Sequence, residues 1–163
     1  MTQVFLSLGS NLGDRIQHLQ TAMRLIELYA GNLLKCSSFY ESEPWGFETD
    51  QWFINCAIEI ETELEPMELL DELQKIEKQL GRTREEGKMN SRTIDIDILF
   101  FNCQLSTFNF QLEIPHPRMH LRKFVLVPLM EITKDAILLG FNKTAEQLLS
   151  ECLDISSIKR FDV

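Results

Sequence analysis

The strict alternation of side chains in residues 52–61 is the feature that most constrains the fold. One set of alternate positions is apolar and consists of Trp52, Ile54, Cys56, Ile58 and Ile60. The other set consists of Phe53, Asn55, Ala57, Glu59 and Glu61. Because successive side chains of a β-strand point to opposite faces, this pattern predicts a strand with one face in the core. Residues 94–100 repeat the pattern, with Asp95 and Asp97 opposite a row of isoleucines.

The segments around these two strands predict an α+β fold. Residues 4–8 alternate and end at Gly9, and an amphipathic helix is predicted over residues 15–30. A weaker strand pattern covers residues 33–41, and a second helix is predicted from Pro66 to Gly81. The resulting order is β-α-β-β-α-β. This order is typical of a ferredoxin-like core with a mainly antiparallel sheet and both helices on one side.

The last third of the chain adds elements to this core. Weak strand patterns occur near residues 104–114, a helix is predicted near residues 122–132, and a last helix begins at a capping box of Thr144 and Gln147. These elements can cover the second face of the sheet and complete a three-layer α/β/α arrangement. A length of 163 residues suits one hydrophobic core, so we expect a single domain over residues 1–163.

The charge balance excludes several classes of partner. The chain has 16 lysines and arginines against 25 aspartates and glutamates, a formal net charge of −9. Nucleic acids and anionic membranes attract basic surfaces, so we expect neither as a partner. The sequence also lacks a signal peptide and an apolar run of membrane-spanning length. Its four cysteines form no C-x-x-C pair, and we expect reduced thiols in a cytoplasmic protein.

Asp95 and Asp97 form the first candidate for a chemical site. Two carboxylates at alternate strand positions project side by side and repel each other unless a cation lies between them. Mg²⁺ suits such an oxygen pair and takes its other ligands from water and phosphates. The alternative is a solvated strand face that happens to carry two charges.

A basic stretch precedes these aspartates and consists of Arg82, Arg84, Lys88 and Arg92. The alternative is a solvated loop balanced by its neighbouring glutamates. A charge count favours a shared site: ATP brings about −4 and the aspartates −2, whereas two Mg²⁺ and two arginines supply about +6. The sequence therefore predicts a two-metal, two-arginine site for phosphate transfer. It contains no P-loop and no G-x-G-x-x-G motif.

Aromatic residues and one amide suggest a second subsite. Phe53 and Asn55 share the strand face opposite the isoleucines, near a loop with Trp45 and Phe47, and Phe124 follows a second basic group. Such a set suits a flat heterocycle with hydrogen-bonding edges. The alternative is that Trp45 and Phe53 are core residues.

Taken together, these segments resemble the 6-hydroxymethyl-7,8-dihydropterin pyrophosphokinase family. The resemblance rests on Gly9-Ser10-Asn11-Leu12, Ser38-Phe39-Tyr40, Asn55, Gly81-Arg82-x-Arg84, Arg92-Thr93-x-Asp95-x-Asp97, Pro115-His116 and Val127-Pro128-Leu129. It implies an ATP-dependent enzyme of folate biosynthesis that transfers diphosphate to the pterin hydroxymethyl group and releases AMP. Its partners would be these two small molecules. The sequence leaves the oligomeric state open, and we expect a monomer.

The resemblance assigns roles residue by residue. Asp95 and Asp97 would hold two Mg²⁺, and Arg82 and Arg92 would neutralise charge on the transferred group. The nucleotide side would consist of Gln74, Glu77, Arg84, Met89, Ile98, His116 and Arg122. The pterin pocket would consist of Ser42, Trp45, Phe53, Asn55 and Phe124.

The sequence departs from the family pattern at two places. Before Arg92 the family usually has a bulky aromatic residue followed by Gly or Ala, whereas this chain has Met89 and Asn90. Trp45 stands where some members carry an aliphatic residue. Two other functions stay open: a ferredoxin-like binding or regulatory module, and a metal-dependent phosphohydrolase that uses water as the acceptor.

Overall fold

A computed structural model describes residues 1–81, 92–102, 106–108 and 112–163 of the chain. The strands are β1 (Thr2–Ser10), β2 (Asn32–Cys36), β3 (Phe39–Ser42), β4 (Phe53–Thr62), β5 (Asp95–Phe101), β6 (Ser106–Phe108), β7 (Leu112–Ile114) and β8 (Ile158–Phe161). The α-helices are α1 (Arg15–Tyr29), α2 (Pro66–Gln79), α3 (Lys123–Thr133) and α4 (Ala145–Glu151). A single 3₁₀ turn, Met119–Leu121, precedes α3.

The main sheet has the strand order β5-β1-β4-β3-β8, and β2 pairs with β4 beyond the end of β3. Each of these strand pairs is antiparallel. The four strand positions of the predicted β-α-β-β-α-β order therefore all lie in the expected antiparallel sheet. β6 and β7 form a separate two-stranded sheet.

The helices form two layers, one on each side of the main sheet. α1 and α2 pack against each other, with α1 on β1, β2 and β4 and α2 on β5. α3 packs on β3 and β4 and against α4. This confirms the predicted α+β class and the three-layer arrangement. Within the residues described, no helix combines the length and apolar character needed to cross a membrane.

Local signals place the helix boundaries close to their predicted positions. The Asp14 side chain accepts a hydrogen bond from the backbone N–H of Gln17 at 3.1 Å and so caps α1. α2 begins at Pro66, as predicted, and Thr144 and Gln147 form the predicted capping box of α4. These contacts join residues three positions apart, which is why the sequence alone reveals them.

Two features of the strands differ from the sequence prediction. Residues 33–41 form two strands, because the Ser37 hydroxyl accepts a hydrogen bond from Ala57 N–H at 2.9 Å and interrupts the regular ladder. β8 is not predicted by the sequence pattern, since it is a short edge strand with Lys159 and Arg160 in its centre. It pairs with β3, far from it in the chain.

The register of the central strands positions the candidate site. Asn55 of β4 lies opposite Gly9 of β1, and Gly9 lies opposite Asp95 of β5. Asp97 lies opposite Ser7. The polar residues of three adjacent strands therefore share one face near one end of the sheet, on the side that α3 covers.

Candidate active site

A pocket lies on this polar face, beside the start of α3. Its lining residues are Ser7, Gly9, Ser42, Glu43, Trp45, Phe47, Phe53, Asn55, Arg92, Asp95, Asp97, Arg122 and Phe124. All five predicted pterin residues lie here, together with three of the residues predicted to act on phosphate groups: Arg92, Asp95 and Asp97. The predicted aromatic subsite and the predicted phosphate-transfer site are therefore parts of one cavity.

Gly9 forms part of the floor of this pocket. A Cβ atom at this position would lie 2.8 Å from Asn55 Oδ1 and 3.5 Å from the Phe53 ring. Any larger residue would therefore displace the amide or the ring. The absence of a side chain at Gly9 leaves room for Asn55 and Phe53 at the centre of the sheet.

Asn55 is fixed by its neighbour on β3. Its Nδ2 donates a hydrogen bond of 2.6 Å to Ser42 Oγ, and both side chains are buried. Buried polar groups require such partners, so this bond holds the amide in one orientation. Ser42 and Asn55 thus present a fixed polar edge at the base of the pocket.

Aromatic rings and arginines form the walls. Phe47 packs edge-on against Phe53, with ring centres 6.1 Å apart. The guanidinium of Arg122 lies 4.7 Å from the centre of the Trp45 ring and 5.6 Å from that of Phe124. These cation–π contacts join the loop after β3 to the start of α3. The walls are therefore held by side-chain contacts between two separate segments.

Each aspartate of β5 has an arginine beside it. Arg92 Nη1 lies 3.0 Å from Asp95 Oδ2, and Arg122 Nη1 lies 3.9 Å from Asp97 Oδ2. The two carboxylates face the pocket from alternate positions of one strand, roughly 7 Å apart along the backbone. Among residues 1–81, 92–102 and 112–163, no three acidic, histidine or cysteine side chains are grouped as metal ligands. A cation held here would complete its ligand shell from water and substrate oxygens.

The outer edge of β5 forms a second polar region beside the pocket. Glu77 Oε2 of α2 accepts a hydrogen bond from Ile96 N–H at 3.3 Å, so Ile96 N–H points away from β1. By alternation, the backbone groups of Ile98 point to the same edge, while its side chain is buried. His116 N–H donates to Leu99 C=O at 2.7 Å. Gln74 lies on the same side of α2 as Glu77, three residues earlier.

Burial and neighbouring charges keep the His116 ring neutral. Burial, together with the positive charges of Arg122 and Arg118, lowers the pKa of His116 to about 4. Its Nδ1 accepts a hydrogen bond from Arg118 N–H at 3.1 Å, so the neutral ring carries its proton on Nε2. Burial also lowers the pKa of Arg122, and the nearby Asp97 opposes this effect. Arg122 stays charged at neutral pH, because a guanidinium keeps its proton in proteins.

A protein-family model described as 7,8-dihydro-6-hydroxymethylpterin-pyrophosphokinase matches residues 5–134. The chain belongs to this family. It is 44% identical over 134 residues to the 2-amino-4-hydroxy-6-hydroxymethyldihydropteridine pyrophosphokinase of Porphyromonas gingivalis, with 81% of this chain and 91% of that protein aligned. It is 48% identical over 129 residues to the enzyme of the same name from Bacillus subtilis, with 78% of this chain and 76% of that protein aligned.

A solved structure has the same fold. The HPPK-DHPS protein of Plasmodium falciparum, crystallised with pteroate, superposes with a TM-score of 0.76 at 17% identity. The match covers 92% of this chain and 44% of that one, so this chain spans less than half of that longer protein. The predicted family and activity are confirmed: the chain is an enzyme, a pyrophosphokinase of folate biosynthesis that acts on the hydroxymethyldihydropterin and uses ATP as co-substrate.

Part of the predicted site of this pyrophosphokinase lies outside the described residues. Arg82, Arg84 and Met89 fall within residues 82–91, as do Lys88 and the departure at Asn90. Their assignments stay predictions.

Asn11 is a site residue whose role the sequence did not reveal. Its backbone N–H donates to Arg92 C=O at 3.1 Å, and its Oδ1 accepts from Arg92 N–H at 2.7 Å. Its Nδ2 donates to Gln51 C=O at 3.1 Å. Asn11 thus joins the backbone at Arg92 to the end of the loop that carries Trp45. The only sequence signal was its place in the Gly9-Ser10-Asn11-Leu12 motif, which by itself indicates a turn.

Proposed function

We propose that diphosphate transfer takes place in this pocket, from ATP bound along β5 to the hydroxymethyl group of a pterin bound between the aromatic walls, with AMP as the second product. The observation that carries this assignment is that Asp95 and Asp97 open into the same cavity as Phe53, Asn55 and Phe124. A phosphate donor held by the aspartates and a heterocycle held by the aromatic rings would therefore lie side by side in one cavity. Such positioning is a large part of catalysis of phosphoryl transfer.

We assign the pterin to the deeper part of the pocket. Phe53 and Phe124 offer ring faces for stacking, and Trp45 lies beside Phe124 across the Arg122 guanidinium. Ser42 and Asn55 supply hydrogen-bonding groups at the buried base. A bicyclic ring with amide-like edges matches this combination of faces and fixed polar atoms.

We assign two Mg²⁺ to Asp95 and Asp97. The donor set fits, because two carboxylates offer the hard oxygen ligands that Mg²⁺ prefers and both remain partly exposed to the pocket. When bound, the ions neutralise phosphate charge and make the phosphorus atom more open to attack. The present partners of the carboxylates, Arg92 and Arg122, are cations that can turn toward phosphate oxygens instead.

The arginines then stabilise the transferred group. Arg92 lies beside Asp95 and Arg122 beside Asp97, so two guanidinium groups line the pocket where negative charge develops on the transferred group. Arg82 is assigned to the same task on the resemblance alone. None of the residues assigned here is a general base. Bound Mg²⁺ would lower the pKa of the substrate hydroxyl and so supply the acidity that a base would otherwise provide.

We place the adenine ring along the outer edge of β5. The backbone of Ile98 offers an N–H and a C=O there, and the neutral ring of His116 lies at the end of the same edge. Gln74 and Glu77 flank this edge from α2. Arg84 and Met89 are assigned to the nucleotide by resemblance alone.

The residues that act in this proposal belong to one chain, so we propose a monomer that works as a single domain over residues 1–163. We further propose a cytoplasmic location, where ATP is available. Free thiols at Cys36, Cys56 and Cys152 are consistent with a reducing compartment.

The product identifies the reaction, and an aspartate variant tests the site. The protein is incubated with ATP, Mg²⁺ and 6-hydroxymethyl-7,8-dihydropterin, and the nucleotide released is identified by chromatography. We expect AMP in amounts equal to the pterin diphosphate. The Asp97→Ala variant is expected to form neither product while it retains the circular dichroism spectrum of the wild type. Asp135→Ala removes the same charge from an exposed position and serves as the control. Release of ADP would contradict diphosphate transfer, and an active Asp97→Ala enzyme would contradict the metal assignment.

A further inference from the structure

Residues 153–156 expose their aliphatic side chains and half-bury their polar ones, the reverse of an ordinary surface segment. Leu153 and Ile155 are 92% and 96% exposed, whereas Asp154 and Ser156 face the protein and are half-buried. Turning this extended segment over would bury the two aliphatic side chains, which is ordinarily favourable. The contacts made by Asp154 and Ser156 must therefore outweigh that gain.

Asp154 binds the first residue of α3. Its Oδ2 accepts a hydrogen bond from Lys123 N–H at 3.1 Å, and its Oδ1 accepts from the N–H and hydroxyl of Ser156 at 2.9 and 2.5 Å. The residue at the N-cap position of α3, Arg122, makes no capping bond with its own side chain. Asp154 therefore supplies the missing cap from a distant part of the chain, and its negative charge suits a helix N-terminus.

The same segment also binds the loop on the opposite wall of the pocket. Ser157 N–H donates to Glu43 Oε1 at 2.5 Å, and Glu43 N–H donates to Ser157 C=O at 3.2 Å. Glu43 lines the pocket two residues before Trp45. Residues 154–157, here called the C-terminal brace, thus contact both the loop that carries Trp45 and the helix start that carries Phe124.

We propose that the C-terminal brace sets the spacing between these two pocket walls, and that Asp154 is a positioning residue for the pterin. The inference rests on the proposed function, which places the pterin between aromatic walls. Trp45 and Phe124 both pack on the Arg122 guanidinium, so movement of the helix start changes both contacts. The brace lies beyond residue 134, where the match to the family model ends.

Asp154→Ala tests the proposal by separating the two ligands. Pterin affinity is measured by titration in the presence of Mg²⁺ and a non-hydrolysable ATP analogue, and affinity for the analogue is measured alone. We expect the pterin Kd to rise roughly tenfold, as for loss of a charge-assisted hydrogen bond. Among the residues assigned to the nucleotide, Arg122 alone lies at the start of α3, so the nucleotide Kd is expected to rise by a smaller factor, about threefold or less. Asp162→Ala removes a carboxylate that is 94% exposed in the same terminal segment and is expected to change neither Kd.

Two further measurements separate positioning from general stability. Asp154→Asn keeps the shape and one acceptor oxygen, so its pterin Kd is expected to lie between those of the wild type and Asp154→Ala. In a Trp52→Phe background the remaining tryptophan is Trp45, and acrylamide quenching of its fluorescence reports the position of the pocket loop. We expect Asp154→Ala to increase this quenching and Asp162→Ala to leave it unchanged.

Phe124→Ala, titrated in parallel, separates failure of the brace from failure of the pocket. If Phe124→Ala weakens pterin binding and Asp154→Ala does not, the brace proposal is wrong and the pocket assignment stands. If Phe124→Ala leaves pterin binding unchanged, the pocket assignment is wrong and the brace proposal falls with it. Equal weakening of pterin and nucleotide by Asp154→Ala would overturn the positioning role, because it would indicate a general loss of structure.

Discussion

Charged side chains in and beside the pocket lie close to one another. Asp95 and Asp97 differ by two residues, yet each has its own arginine, one at 3.0 Å and one at 3.9 Å. His116 is neutral because it is buried and has two arginines nearby. In a chain of net charge −9, positive charge is thus concentrated where phosphate has to be bound.

His116 provides a pH test of this environment. We expect its ring to titrate near pH 4, and Arg122→Gln to raise the midpoint while leaving it below 6.5, because burial is the larger cause of the lowered pKa. Between pH 6.5 and 4 the unfolded chain binds a proton that folded His116 does not. This group therefore leaves stability unaffected above pH 6.5 and lowers it as the pH falls through this range.

The measurement is an NMR titration of the ring C–H signals, with His116→Gln used to assign the resonance. Thermal unfolding of the wild type and His116→Gln at pH 7 and pH 5 tests the linked effect, and the variant is expected to lose less stability on acidification. A midpoint near 6.5 would contradict the lowered pKa of His116.

Among the secondary-structure elements, the turn between β1 and α1 has the widest influence on the site. Through Asn11 it contacts the backbone at Arg92, just before β5, and the backbone at Gln51, just before β4. Small residues on β1 leave space for the side chains of β4. The turn between β1 and α1 therefore holds the backbone at Gln51 and at Arg92 in place, next to the proposed substrate pocket.

We expect Asn11→Ala to lower kcat/KM by roughly tenfold or more, because it removes the two side-chain hydrogen bonds that align the backbone at Arg92 and at Gln51. Asn11→Asp keeps the acceptor for Arg92 N–H and loses the donor to Gln51, so its effect is expected to be smaller. Steady-state kinetics with both substrates varied gives the comparison. Asn32→Ala, at an exposed position of β2, is the control, and an Asn11→Ala enzyme with the kinetics of this control would refute the alignment role.

On the scale of the whole molecule, the buried residues that the structure describes on both sheet faces form one continuous cluster, which includes β1, β4, β7 and helices α1 to α4. Residues before and after the family match contribute to it, among them Val4, Ala145 and Leu148. A continuous core of this kind favours cooperative unfolding.

We expect a single unfolding transition in urea, with coincident curves from far-UV circular dichroism and tryptophan fluorescence. Ile58→Ala, at the centre of β4, is expected to lower the free energy of unfolding by about 2–5 kcal/mol without splitting the transition. Ile137→Ala, at a side chain that is 63% exposed, is expected to change it by less than about 0.5 kcal/mol. Separate transitions for the two probes would contradict the prediction of one domain.

The sequence by itself determined the core strands, the helix boundaries and the identity of the acidic pair. The alternation in β4 and β5, the caps at Asp14 and Thr144, and Pro66 at the start of α2 depend on residues within a few positions of one another, so they can be read along the chain. Family motifs added the activity and grouped the pocket residues, most of which the structure brings together.

Only the tertiary structure decided which distant segments hold this site in shape. Arg92 is bound by a residue 81 positions earlier, α3 is capped by a residue 31 positions later, and Glu43 bonds to a residue 114 positions away. The break at Ser37 and the edge strand β8 likewise depend on partners from other strands. Local sequence patterns do not indicate such contacts, because a hydrogen bond between residues distant in the chain forms only after the sheet has brought their backbones together.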